Sequence, residues 1–259
     1  MKKLIALLLA LVMVMALAAC GATETKEPEV APTEPSQATE PTEDTTTEEP
    51  TEPTTDEVAV MTYEEFMAAE VEAKVCVETY VQATQSWWDN KITVYAASED
   101  GAYFIYELAC SEEDSAKMVP GAKIRVTGDK AEWGGEVEIM NATFEFVEAE
   151  AFTAEAIDAT AMTEEELQAN MNKLATFKGL TVEKVERKDP DKADDLYLTL
   201  KSGETSMSFC VEIYLTGEDS DVYKTAIELV EGDVVDVTGF IYWYEGPNPH
   251  ITAIAKAAA

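Results

Sequence analysis

Histidine is almost missing: His250 stands alone in 259 residues. With no second histidine, neither a His-rich zinc cluster nor a confident Ser, Asp and His arrangement can be assembled. His250 follows Gly246-Pro247-Asn248-Pro249, a turn by composition, and reads as a surface or packing residue at the start of a strand. Cysteine is scarce as well. Cys20 ends an N-terminal leader, which leaves Cys76, Cys110 and Cys210, an odd number that makes no disulfide framework. Cys76 and Cys110 either pair or stay as buried thiols in strand-like runs, and without a nearby histidine none of the three has a base for thiol catalysis. Basic residues are few, 18 Lys and Arg against 52 Asp and Glu. Twelve acids and Lys26 fall in Ala22 to Glu57 and Lys2 and Lys3 in the leader, so from Val58 onward 40 acids face 15 bases. Nucleic-acid binding draws much of its affinity from Lys and Arg releasing counterions, so this balance argues for no nucleic-acid partner. The acidity fits solubility, or weak attraction to cations and basic surfaces.

Long hydrophobic runs are also absent, apart from Leu4 to Ala18, which is too short to cross a bilayer comfortably. Lys2 and Lys3 precede it and small residues close it, the pattern of a signal peptide over 1–19. Leu17-Ala18-Ala19-Cys20-Gly21 resembles the cleavage motif of bacterial lipoprotein precursors at every position. The resemblance implies that Cys20 becomes diacylglyceryl-modified and is the first residue of the mature chain. The lipid bilayer is then a partner through Cys20, and the chain sits on the outer face of a bacterial membrane. Two acyl chains anchor stably where one does not. From 20 to 57 the chain is Thr, Glu and Pro with almost no large apolar residue, which predicts a disordered acidic stalk. At roughly 3.1 Å per residue, such a stalk reaches on the order of 100 Å when fully stretched.

From Val58 onward the chain repeats itself. Met61-Thr62-Tyr63-Glu64-Glu65-Phe66 returns as Met162-Thr163-Glu164-Glu165-Glu166-Leu167, each with the Thr-x-x-Glu spacing of a helix capping box. Gly121-x-x-x-x-Val126-Thr127-Gly128 returns as Gly232-x-x-x-x-Val237-Thr238-Gly239. Between these landmarks the apolar period is two. Ile92, Val94 and Ala96, then Phe104, Tyr106 and Leu108, then Val137 and Ile139 alternate in the first unit. Leu196, Leu198 and Leu200, then Met207, Phe209, Val211 and Ile213, then Val235 and Val237 do so in the second. The parity switch from Ile139 to Phe144 requires a bulge near Asn141. Ser111 to Met118 and Gly217 to Leu229 do not alternate and read as helices, the second with a stripe of Val222, Ala226, Leu229 and Val230. Three strands, a helix and two strands resemble the five-stranded Greek-key OB-fold, in the tandem form of bacterial exported lipoproteins. The expected fold is all-β with short helices, two tandem OB-fold-like barrels at 58–150 and 151–259.

Candidate chemistry is thin. With 40 acids, carboxylate pairs can be picked anywhere and identify nothing, and no cofactor is implied. Asp189, Asp191, Asp194 and Asp195 fit a calcium loop only in part: Ala193 and Asp194 stand where a ligand and a glycine belong, so a hairpin loop explains the run better and calcium stays a weak candidate. The aromatics are the better site. Trp87 and Trp88 fall in the loop between strands one and two, and Trp133, Tyr242, Trp243 and Tyr244 near the loop between strands four and five, the two loops where OB-folds bind ligands. Flat rings with a polar edge suit a glycan or a protein partner, and equally serve to cap a barrel. The function expected is non-catalytic binding at the cell envelope. The alternatives are an architectural subunit of an envelope complex and a carboxylate-dependent hydrolase of envelope polymers.

Overall fold

In the first unit the chain runs α1 (Tyr63–Ala68), β1 (Lys74–Thr84), β2 (Lys91–Ala97), β3 (Ala102–Ala109), α2 (Glu112–Ser115), β4 (Lys123–Trp133) and β5 (Glu136–Phe146). The second unit runs β6 (Ile157–Asp158), α3 (Glu164–Ala169), β7 (Leu174–Arg187), β8 (Leu196–Ser202), β9 (Thr205–Val211), α4 (Ile213–Thr216), α5 (Asp221–Ile227), β10 (Val234–Phe240) and β11 (His250–Lys256). The computed structural model describes residues 58–189 and 191–257, all within one compact unit. The signal peptide, Cys20 and the stalk lie outside the described residues.

Both units close with the same topology. In the first, β1-β2-β3-β5-β4 is a closed barrel, with β3 and β5 parallel and the other pairs antiparallel. In the second, β7-β8-β9-β11-β10 repeats the order, the β10–β7 pairing closes it, and β9 runs parallel to β11. This is a tandem pair of OB-fold barrels. Each first strand is bent and shared: its opening half pairs with the fourth strand and its closing half with the second. The flank left bare on the opening half is covered by a parallel segment, the Met61–Val77 bridge in the first barrel and β6 in the second.

The repeated motif has a steric cause. Gly121 and Gly232 hold φ near +90°, which favours glycine. Gly128 and Gly239 sit where the last strand crosses the fourth: a Cβ on Gly239 would lie 2.3 Å from the His250 carbonyl oxygen, and one on Gly128 2.7 Å from that of Met140. Both capping boxes form, Thr62 with Glu65 and Thr163 with Glu166. Asn141 takes φ +49° beside a register shift in the β4–β5 ladder, the bend that the parity switch required. Three readings are corrected. Ile213 leaves the strand pattern because Glu212 caps α4 there, its side chain accepting from the Leu215 N–H. α5 ends at Ile227, so Leu229 is buried just past the helix and Val230 is exposed outside the stripe. In β3 the inward residues are Tyr103, Ile105 and Leu108, because a shift in the β2–β3 register at Glu107 (φ +48°) turns Tyr106 and Glu107 outward together.

A seam joins the barrels. Tyr95 and Phe104 from the first meet Phe240 from the second in a small buried cluster, and the Tyr95 ring stacks on Phe240 at 4.6 Å. Here lies His250, a packing residue as its isolation suggested. Its ring stacks on Tyr242 and its Nδ1 shares a hydrogen bond with the Tyr95 hydroxyl, while burial pushes its pKa down to about 3. Cys76, Cys110 and Cys210 are all free and buried, and burial pushes the Cys110 and Cys210 thiols up.

Candidate functional site

Trp87 and Trp88 are neighbours with opposite fates, as extended backbone requires. The Trp87 ring packs on the first core and its indole N–H donates to the Cys110 carbonyl at 2.9 Å. Trp88 points out and is 79% exposed. It is held there by a tight turn: Trp88 and Lys91 exchange backbone hydrogen bonds across Asp89 and Asn90, both at positive φ.

Trp88 overlooks a groove of about 400 Å³ on the β2–β3 face, with Gln85, Thr93 and Tyr106 along it and Tyr214 at its far side. Tyr106 reaches the groove through the β3 irregularity that turned it out, with Glu107 beside it in an ion pair with Lys91. Tyr214, 64% exposed, comes from α4 of the second barrel. It is fixed by Ser86, whose backbone N–H and hydroxyl both donate to the Tyr214 carbonyl, at 2.7 and 3.1 Å. Beneath it, Asp195 accepts from the Ile213 N–H at 3.0 Å, and burial pushes the Glu212 cap carboxyl up to about 7. Both barrels therefore build this groove.

The loops between strands four and five have a different use. Trp243 is buried, 6% exposed, its ring lying where a side chain on Gly135 would be. The Trp243 backbone N–H donates to the Glu136 carboxylate at 2.9 Å, Tyr244 covers Gly134, and the Glu245 N–H donates to the Gly134 carbonyl. Tyr242 lies in the seam. Of the six aromatic candidates, Trp88 lines the groove, Trp133 is exposed (61%) at the tip of the β4–β5 hairpin, Tyr244 is exposed over Gly134, and Trp87, Tyr242 and Trp243 serve the core or the seam. Tyr106 and Tyr214 were missed. The alternation that joined Phe104, Tyr106 and Leu108 hid the outward turn of Tyr106, and Tyr214 had no sequence signal.

The groove at Trp88 is lined by one carboxylate, Glu107, and holds no carboxylate pair. Glu136 and Glu138 project from β5 and are both buried; burial pushes Glu136 up to about 8 and Glu138 to about 7, and Glu136 Oε1 has no hydrogen-bond partner among the described residues. Neither lines the groove. The aspartate loop is taken up by its own turn. Asp189 accepts from the Asp191 N–H, Asp194 accepts from the Asp195 N–H, and Asp195 pairs with Lys188 at 2.9 Å. Among the described residues no cluster of His, Cys, Asp and Glu is placed to hold a metal ion.

No protein-family model and no curated protein matches the chain. Solved structures similar to it include a murine DNA-binding protein bound with double-stranded DNA, at 12% identity over 71% of this chain and 97% of that one, TM-score 0.36. Another is the HINa domain of Ifi202 in complex with a 20-base-pair double-stranded DNA, at 12% identity over 65% and 86%, TM-score 0.33. A third is a Replication Protein A heterotrimer bound to single-stranded DNA, at 10% identity over 71% and 49%, TM-score 0.31. These findings correct one expectation: the exclusion of nucleic acid drawn from the chain's acidity is withdrawn. A net charge is a sum over the whole surface, whereas bases stack on local aromatic platforms. A likeness of this degree assigns no ligand to this chain.

Proposed function

We propose that this protein is a non-catalytic binding module, anchored by a lipidated Cys20 to the outer face of a bacterial membrane, that takes a neutral glycan in the groove at Trp88. The observation that supports this reading is the set of exposed rings at one place, Trp88, Tyr106 and Tyr214, held by a turn, a bulge and a capped helix. Aromatic faces suit the apolar faces of sugars, while Gln85, Ser86 and Thr93 offer amide and hydroxyl groups for sugar hydroxyls. Lys91 and Glu107 neutralise one another at the rim, which favours an uncharged ligand.

The test titrates the full chain with neutral tetrasaccharides, chitotetraose and cellotetraose, alongside a single-stranded oligothymidylate, following tryptophan fluorescence. Saturable quenching by a sugar that disappears in Trp88→Ala is expected. A silent sugar series, or a response that Trp88→Ala leaves intact, overturns the reading; tighter binding of the oligonucleotide moves the ligand class. Anchoring has its own test. Cys20→Ala should release the chain from the membrane fraction, and a chain that stays there unchanged would sink the anchor.

A further inference from the structure

The two barrels differ at the mouth beneath the capped helix. In the first, the mouth is stoppered by three rings: Tyr63 at the first position of α1, Phe66 three residues on, and Tyr103 from β3. Tyr103 stands 5.5 Å from Tyr63 and 5.2 Å from Phe66. The Tyr63 ring lies so close on Gly101 that a Cβ there would meet it at 2.3 Å, and burial pushes the Tyr103 hydroxyl up to about 12. The stopper is tightly packed.

The second barrel has the same positions and lacks the stopper. The capping boxes align Tyr63 with Glu164 and Phe66 with Leu167. The ladders align Tyr103 with Met207, since Ala96 faces Tyr103 and Leu200 faces Met207 at the third inward position of β2 and β8. The connection is longer too. In the first barrel the segment paired with β1 reaches the helix cap in one step, Met61 to Thr62, whereas in the second the matching pairing ends at Ala159, whose N–H donates to Thr176, and three more residues precede Thr163. Those residues, Thr160 to Met162, wall a cavity of about 670 Å³, with Leu167, Phe177 and Met207 also lining it. That volume lies within the ordinary range of small-molecule sites. Glu164 and Glu245 also line it, and none of its lining residues is Lys or Arg.

We infer that this cavity is a second binding site, specific for a small aromatic cation: a ring that takes the place Tyr63 occupies in the first barrel, carrying an ammonium arm toward Glu164 and Glu245. The ring requirement follows from the space that the missing tyrosine leaves over Leu167 and Met207, and the charge requirement from two carboxylates with no cation to balance them. An anionic ligand of the same shape is refused by the same carboxylates. The site is independent of the groove at Trp88, which shares none of its lining residues.

Met162 and Met207 supply the readout. In the full chain labelled at methionine methyls, tyramine should shift both resonances saturably, and 3-(4-hydroxyphenyl)propionate should leave them in place. Glu164→Gln should weaken tyramine by roughly threefold, the size of one exposed ion pair. Glu164→Tyr, which restores the first barrel's stopper, should abolish the shifts with the circular dichroism unchanged; should that variant misfold, Met207→Tyr fills the cavity from the opposite wall. Absent shifts, equal shifts from the propionate, or shifts that persist in a folded stoppered variant overturn the inference. Because neither methionine lines the groove, the outcome is separable from that of the sugar titration.

Discussion

The first barrel stoppers its mouth beneath the capped helix with aromatic rings and its neighbour does not. Tyr63, Phe66 and Tyr103 seal one mouth, where Glu164, Leu167 and Met207 leave the other hollow, although strand order, capping boxes and closing glycines are the same. At the loop between the first two strands, the first barrel carries Trp87 and Trp88 and the second an aspartate turn. Duplication has thus kept what closure demands and released what it does not. A Cβ on Gly239 strikes backbone, so that glycine is held, while a residue at a mouth is free to become a stopper or a vacancy.

The comparison can be broken most forcefully in the two cores. Phe66→Ala should cost about 3–5 kcal/mol, as large aromatic truncations do, and Leu167→Ala should fall at or below the low end of the roughly 2–5 kcal/mol for buried leucine, because it already borders open space. Urea midpoints compare them, and equal losses would mean that the second mouth is as well packed as the first. Next come the glycines. Gly239→Ala should destabilise by about 1–3 kcal/mol and by more than Gly128→Ala, whose close neighbours include the side chains of Ala142 and Ile139 as well as one carbonyl.

A smaller effect sharpens the seam between the barrels. Burial pushes Glu136 up to about 8, and Glu138 and Glu212 to about 7, from 4.5. A carboxyl raised on folding holds a proton that the unfolded chain has released, so its stabilisation is complete below pH 4.5 and is lost as pH rises through the folded value. His250, pushed down from 6.5 to about 3, acts in the opposite sense, losing stability as pH falls below 6.5. Between pH 6.5 and 8 the carboxyls alone act and stability should fall; Glu136→Gln should flatten that fall in thermal midpoints taken across the range. The least effect is expected at Trp88. Trp88→Ala should alter stability by no more than about 0.5 kcal/mol, as exposed substitutions do, whereas Trp243→Ala should resemble a core truncation.

The barrels were legible because alternation, capping boxes and the glycine motif are local signals repeated twice, and each repeat checks the other. Strand facing was less so. Phe104, Tyr106 and Leu108 looked like one stripe, but the irregularity at Glu107 put Phe104 in the seam, Tyr106 in the groove and Leu108 in the core. The seam itself was invisible, since Trp243 facing Gly135 is a contact across more than a hundred residues with no periodic trace. The cavity escaped for a different reason: aligning Met61 with Met162 hid three extra residues that only strand pairing reveals.

Strand edges template assembly when they are long and bare. Here the bent first strand of each barrel would offer such an edge along its opening half, and a parallel segment, the Met61 bridge or β6, occupies it. A neighbouring molecule meets a short covering segment there in place of a long bare ladder, which removes the template for strand-by-strand association along that half.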